Sequence, residues 1–231
     1  MIQFNQVCKT VNATRLFENV SLFLPKASYT FIYGTKGCGK TTFFKLIMAS
    51  EMPDSGTICI DDIEVSTLPQ ERIPYLRRQI GLVETTPLLL ENRTVAENIA
   101  VPLQIAELDS KAQQERVTES LDESGLANLT NVPVHRLDAS QRRIVALVRA
   151  TIHRPGILLV DTSTEELKES SLISQAEIVQ RTHNYGTTVV IAGNETELTE
   201  ATRQLPAGGA TLAINNGNIY PHERVEQITK V

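Results

Sequence analysis

The chain has 231 residues, 41% of them hydrophobic and 21% charged, with a formal net charge of −5. That length supports one large domain with a sizeable core, and the acidic balance argues against a nucleic-acid partner, which needs a basic patch or excess. With no Trp and 5% aromatic residues, base-stacking platforms are not expected either.

Residues 1–31 alternate apolar and polar (Ile2, Phe4, Val7, then Val20, Leu22, Leu24). This period of two predicts antiparallel strands leading into a buried strand at Tyr29. The stretch YTFIYGTKGCGKTTFFKLIM over 29–48 reads as strand, glycine-rich loop and apolar helix. Asp54-Ser55-Gly56 marks a turn before a short strand over 57–60, 69–78 reads as a helix starting near a proline, and 79–83 as a buried strand. Helical spacing then takes over from 87 to 147. Val95, Ile99, Val101, Leu103 and Ile105 suggest one helix kinked or ended near Pro102. Residues 111–121 read as a surface helix, polar on most faces, and 141–153 as an apolar-striped one with Ile144, Leu147 and Val148 on one face. GILLVD over 156–161 is a fully buried strand ending in an acid, as in a parallel sheet. A helix over 165–183, a strand over 187–192, a helix over 195–203 and strands over 210–215 and 218–220, joined by an Asn-Gly turn, complete the order. Alternating strand and helix predicts a three-layer α/β core, in a single domain over 1–231 with a helical subdomain over roughly 87–155.

Gly34-Thr35-Lys36-Gly37-Cys38-Gly39-Lys40-Thr41 fits G-x-x-x-x-G-K-[ST], the phosphate-cradling loop. Its glycines let the backbone turn tightly, so that successive N–H groups and a helix start face phosphate. Lys40 would reach the β- and γ-phosphates and the Thr41 hydroxyl would sit on Mg²⁺. With Thr42, these residues form the candidate nucleotide site. Cys8, Cys38 and Cys59 are odd in number and lack metal spacing, so they read as reduced thiols of a cytosolic protein. Cys38, inside the loop, is either a reactive thiol or an inert one. His135, His153, His183 and His222 lack ligand spacing and read as structural. The opening MIQFNQVCKT is too polar for a signal segment, and no apolar run approaches the length of a membrane span. Membrane association is therefore expected only through a partner.

The order of these motifs resembles the nucleotide-binding subunits of ABC systems over essentially the full chain, and within them the FtsE family. IPYLRRQIG over 73–81 and LLENRTVAENIAVPL over 89–103 match the segments that family uses around its Q-loop, and MIQFNQVCKT and ENVSLFLP fit as well. The resemblance implies a P-loop NTPase core of ABC ATPase type with N-terminal antiparallel strands and a helical subdomain. It also implies ATP and Mg²⁺ as cofactors, with Thr41 and the Walker B acid Asp161 holding the metal. The implied partners are an FtsX-like integral membrane protein of cell division and a second ATP-binding subunit, in a homodimer or heterodimer. The implied location is the cytoplasmic face of the cell membrane, peripheral through that partner.

Carried over residue by residue, the resemblance breaks at the catalytic positions. The family's catalytic Glu is Thr162 here, and a Thr hydroxyl is no general base near neutral pH. The Q-loop Gln is Thr85, shorter than the amide's reach, and the switch His is Asn194, which cannot carry an imidazolium charge. The adenine-stacking aromatic is Val11, a loss worth about 1–3 kcal/mol. The signature LSGGQ is replaced by Leu137-Asp138-Ala139-Ser140-Gln141. Asp138 would face the γ-phosphate of the opposite subunit, a repulsion of about 4 kcal/mol at ~4 Å before screening. The D-loop position reads Glu165-Glu166-Leu167-Lys168, also unlike the family.

The reading is an ATP-binding subunit with weak or lost hydrolysis. The alternatives are an ATPase using relocated groups such as Glu84 or Glu165, and a structural module that no longer binds nucleotide. Arg77 and Arg78 are either a docking site for a membrane partner or a solvated helix face. The apolar residues of 88–101 divide evenly between docking and core. Arg142 and Arg143, at the expected start of a helix, offset Asp138, grip phosphate or lie on the surface.

Overall fold

The alternating N-terminal residues build an antiparallel sheet. β1 (Ile2–Val11) pairs with β2 (Thr14–Leu24) on one side and β4 (Ser55–Ile60) on the other, with β5 (Ile63–Glu64) beyond β4. A second sheet runs in the order β10-β9-β3-β8-β7-β6. It holds β3 (Tyr29–Tyr33), β6 (Ile80–Val83), β7 (Ile157–Asp161), β8 (Thr188–Gly193), β9 (Ala210–Asn215) and β10 (Asn218–Pro221). All its pairings are parallel except the β9–β10 hairpin. This computed structural model describes residues 1–162, 169–195, 206 and 208–221, and over 169–174 only the course of the chain.

The central strands are apolar throughout because both faces of the sheet are covered. In β7, Ile157 and Leu159 enter one core while Leu158 and Val160 enter the other, as a period of two requires. The first core lies between the two sheets and takes Phe43, Phe44, Leu46 and Ile47 from α1 (Lys40–Ile47). Phe43 stacks on Phe4 with centroids 4.8 Å apart and meets Phe17 edge-on at 6.4 Å. The second core, on the far face, is built with α3 (Val95–Ile105), α4 (Ser110–Glu123), α5 (Ala139–Thr151) and α6 (Glu169–Asn184). The α/β core with its antiparallel N-terminal sheet is the architecture the sequence predicts.

Several local expectations change. The strand expected from 57 starts at Ser55. The helix expected over 69–78 is a 3₁₀ turn, Gln70–Arg72, followed by the five-residue α2 (Ile73–Arg77). α3 starts on a Thr94–Glu97 capping box and runs through Pro102 to Ile105 without ending at the proline. Pro102 lies in the last turn, where its missing N–H removes one bond, while the fully buried Ile99 and Leu103 hold that turn to the core. Arg77 is exposed, in keeping with a solvated helix face, and its guanidinium also binds the main chain. It donates from Nε to the Met48 carbonyl (3.0 Å) and from Nη2 to the Ala49 carbonyl (3.1 Å), capping the C-terminal end of α1 with positive charge. The helix expected over 195–203 lies outside the described residues apart from its first residue.

α5 packs on β6 at Gly81. A Cβ there would lie 2.2 Å from the Ala150 carbonyl oxygen and 3.1 Å from Leu158 Cδ1. Gly81→Ala must push α5 off the sheet, and we expect a loss of about 2–3 kcal/mol, read as a lower denaturation midpoint at unchanged slope.

Candidate functional site

β3 ends at Tyr33 and the chain turns at once into the phosphate loop. Gly34 is required by close approach: a Cβ would sit 2.6 Å from both Cys38 Sγ and the Ile214 carbonyl oxygen. Gly39 is required by its backbone, with φ of 111° immediately before α1. No side chain caps α1 and no acid occupies its first turn, so the helix offers bare N–H groups and its positive end to an anion. Lys40 is 7% exposed, and its ammonium donates to the carbonyls of Gly34 (2.6 Å) and Thr35 (3.2 Å). Cys38 Sγ lies 3.9 Å from Lys40 Nζ, in a half-buried position.

Asp161, 5% exposed, closes β7. The Thr41 hydroxyl donates to its Oδ2 at 3.3 Å, so the two residues expected to hold a metal meet although they are 120 positions apart. A hydroxyl and a carboxylate suit a hard cation such as Mg²⁺, which completes its shell with water and phosphate oxygens. The residues present fit that ion. Among the described residues no cluster of three or more His, Cys, Asp or Glu could hold a metal alone. A cleft of about 470 Å³ opens beside the pair, with Thr41 and Asp161 on its wall and Glu84, Thr85 and Leu88 among the other lining residues. Glu84 also faces the half-buried Arg149, whose guanidinium burial pulls below its usual range and the Glu84 charge partly restores.

Two of the substituted positions, Thr162 and Asp138, are engaged inside the chain. Thr162 donates from its N–H (2.7 Å) and its hydroxyl (3.1 Å) to the Ala192 carbonyl on β8. Asn194, half-buried, follows two residues later at the end of the same strand. Val11 lies at the tip of the β1–β2 hairpin, opposite Thr14. Asp138 is the N-cap of α5: its carboxylate accepts from the Gln141 N–H at 2.8 Å, and the Gln141 side chain accepts from the Asp138 N–H at 3.1 Å. D-x-x-Q before an apolar helix is a capping box legible in the sequence. Glu165-Glu166-Leu167-Lys168 lies outside the described residues.

The two arginines part company. Arg142 forks onto the Glu91 carboxylate at 2.9 and 2.5 Å and donates to the Val134 carbonyl. Those bonds hold the Glu91 carboxyl below the usual carboxylate range. Arg143 is 2% exposed and so is no surface residue. It donates to the Asp161 carbonyl (2.5 Å), the Gln175 side chain (2.9 Å) and the carbonyls of Glu84 (3.4 Å) and Thr85 (3.5 Å). The signal for it was helical phase, since position 143 precedes the buried Ala146 by three and Leu147 by four. In the 88–101 segment, Leu89, Val95 and Ile99 are core, whereas Leu88 is 71% exposed.

The ABC transporter family model matches residues 17–165, a span that takes in the phosphate loop, the Asp138 loop and Asp161. The chain belongs to the ABC transporter family. Among relatives, the cell division ATP-binding protein FtsE of Haemophilus influenzae is 34% identical over 200 residues, covering 86% of this chain and 92% of the relative. FtsE of Escherichia coli K12 is 31% identical over 86% of this chain and 90% of its own. FtsE of Bacillus subtilis is 27% identical over 96% of each. A dimeric ATP-binding cassette solved in a post-hydrolysis state with ADP and Pi has the same fold, with a TM-score of 0.85 at 22% identity over 96% of this chain and 98% of that one. In this ABC family member the capping box predicts a stability effect that a phosphate-binding loop alone would not. We expect Asp138→Ala to cost about 1 kcal/mol and Asp138→Asn to cost little, since both Asp and Asn cap well, as read by chemical denaturation.

Proposed function

We propose that this chain is the ATP-binding subunit of an FtsE–FtsX-like ABC system in cell division. It holds MgATP through Gly34 to Thr42, Thr41 and Asp161, with hydrolysis weak or lost, and scaffolds or regulates an integral membrane partner at the cytoplasmic face of the cell membrane. The observation that carries this reading is the contrast within one site. The phosphate loop and the Thr41–Asp161 pair have the form a nucleotide needs, while the next residue, Thr162, commits its hydroxyl to a main-chain carbonyl. The relatives named above are cell division ATP-binding proteins.

On binding, Lys40 exchanges the Gly34 and Thr35 carbonyls for phosphate oxygens, and the N–H groups at the start of α1 donate to the same phosphates. Mg²⁺, when bound, supplies charge neutralisation of the phosphate oxygens. No group at position 162 then takes a proton from water. In a homodimer or heterodimer of such subunits, Asp138 presents a carboxylate that its own helix already satisfies. ATP acts here as a ligand that stabilises the folded and paired state by mass action. Among the described residues no helix is long and apolar enough to cross a membrane, and in this arrangement the membrane spans are the partner's. Exposed Leu88 and Leu90 are the contact we assign to it.

A second reading, a slow ATPase, is favoured by Glu84, a carboxylate that lines the cleft shared with Thr41 and Asp161. Calorimetric titration and steady-state hydrolysis separate the two. We expect MgATP binding that Lys40→Ala abolishes, with turnover at or below about 0.1 s⁻¹, some hundredfold under an ordinary enzyme. Faster turnover that disappears in both Lys40→Ala and Glu84→Gln would establish the slow-ATPase reading. Absence of binding in the unsubstituted protein would leave a structural module.

A further inference from the structure

A guanidinium that is 2% exposed is costly unless hydrogen bonds replace its water. Arg143 meets that demand with acceptors drawn from three places: the end of β7, the segment after β6, and α6. The acceptor at the end of β7 is the carbonyl of Asp161 itself. That carbonyl shares its Cα with the carboxylate that takes the Thr41 hydroxyl, so fixing the one fixes the direction in which the other leaves the strand. The Glu84 and Thr85 carbonyls place the opposite wall of the cleft on the same guanidinium. A planar fork with five donors can serve carbonyls in several directions at once, and a lysine ammonium on a flexible stem cannot hold the same set.

We propose that Arg143 is a positioning residue for the magnesium acid. It clamps the Asp161 end of β7 and the Glu84–Thr85 segment onto α5, and so sets the metal-dependent share of nucleotide affinity without touching the nucleotide. The inference rests on the reading that this chain binds MgATP. Partners that orient metal ligands from outside typically account for about 10- to 100-fold in metal affinity, whereas the phosphate loop's own contacts do not involve Arg143.

The test is calorimetric titration of a non-hydrolysable ATP analogue, AMPPNP, into the full chain, once with excess Mg²⁺ and once with EDTA. Unsubstituted protein, Arg143→Lys and Gln175→Ala are compared. Arg143→Lys should weaken binding by about tenfold or more in Mg²⁺ and by no more than about twofold in EDTA. Gln175→Ala removes one of the guanidinium's acceptors and keeps the charge buried, so the same selective loss is expected at about threefold. Equal losses with and without Mg²⁺, or unchanged affinity in both variants, would overturn the proposal and leave Arg143 a stabilising residue only. Should Arg143→Lys fail to give the native thermal transition, Gln175→Ala decides alone, and an Mg²⁺-independent effect there overturns it. Unsubstituted protein that binds equally well in Mg²⁺ and EDTA overturns the role of Arg143 and spares the phosphate loop. Unsubstituted protein that binds in neither overturns the nucleotide reading as well.

Discussion

Everything at this site depends on the parallel register of three strands. Tyr33 at the end of β3 is level with Gly193 of β8, and Ala192 of β8 is level with Asp161 at the end of β7. In a parallel sheet the carboxyl ends of the strands share one edge, and ligands bind outside that edge. The phosphate loop, Asp161 and Asn194 therefore arrive together although β8 separates β3 from β7. A slip of one residue in β7 would send Asp161 to the opposite face and break the Thr41 bond. The two apolar cores prevent that slip, because Ile157 and Leu159 fill one while Leu158 and Val160 fill the other.

The chain treats the N-termini of α1 and α5 in opposite ways. α1 begins on a glycine with no capping side chain, so its N–H groups and dipole are left for a ligand. α5 begins on an aspartate whose carboxylate accepts one of its first N–H bonds and places a negative charge at its positive end. The second helix start thus carries its own anion. A phosphate approaching α5 meets a charge of its own sign and an N–H already taken. The same internal satisfaction holds for the Thr162 hydroxyl on Ala192 and for Arg142 on Glu91. Thr162 and Asp138 thus each have a partner within the chain, so these side chains cost the fold no unpaired polar group.

The parts of this molecule with a short sequence period were legible. Eight consecutive residues specify the phosphate loop, and GILLVD specifies both the burial of β7 and the acid at its end, because a strand buried on both faces has few alternatives. The Asp138 loop was legible as a departure from a pattern but was read only as charge facing a distant phosphate. Its local meaning, a capping box with Gln141, needed the helix start to be placed at Ala139 in place of 141. Arg143 was hidden for a different reason. A charged residue beside another at a helix start is ordinarily solvated, so its charge outweighs its helical phase with the buried Ala146 and Leu147. The end of α3 near Pro102 was legible, and only its exact place was not, because three residues of the last turn still follow the proline. The main-chain bonds of Arg77 are not legible in the sequence, because the carbonyls they reach lie at the end of α1, far from it along the chain.

The buried Arg143 also links the Asp138 loop to Asp161 through a single helix. Asp138 fixes the start of α5 through its cap, and Arg143, little more than one turn further on, fixes the same helix to the carbonyl of Asp161. A buried charge tolerates little displacement, since each lost hydrogen bond leaves its desolvation uncompensated. α5 is held from its other end by the contact of the Ala150 carbonyl with Gly81 on β6. α5 is thus tied to β7 near its start and packed against β6 near its end.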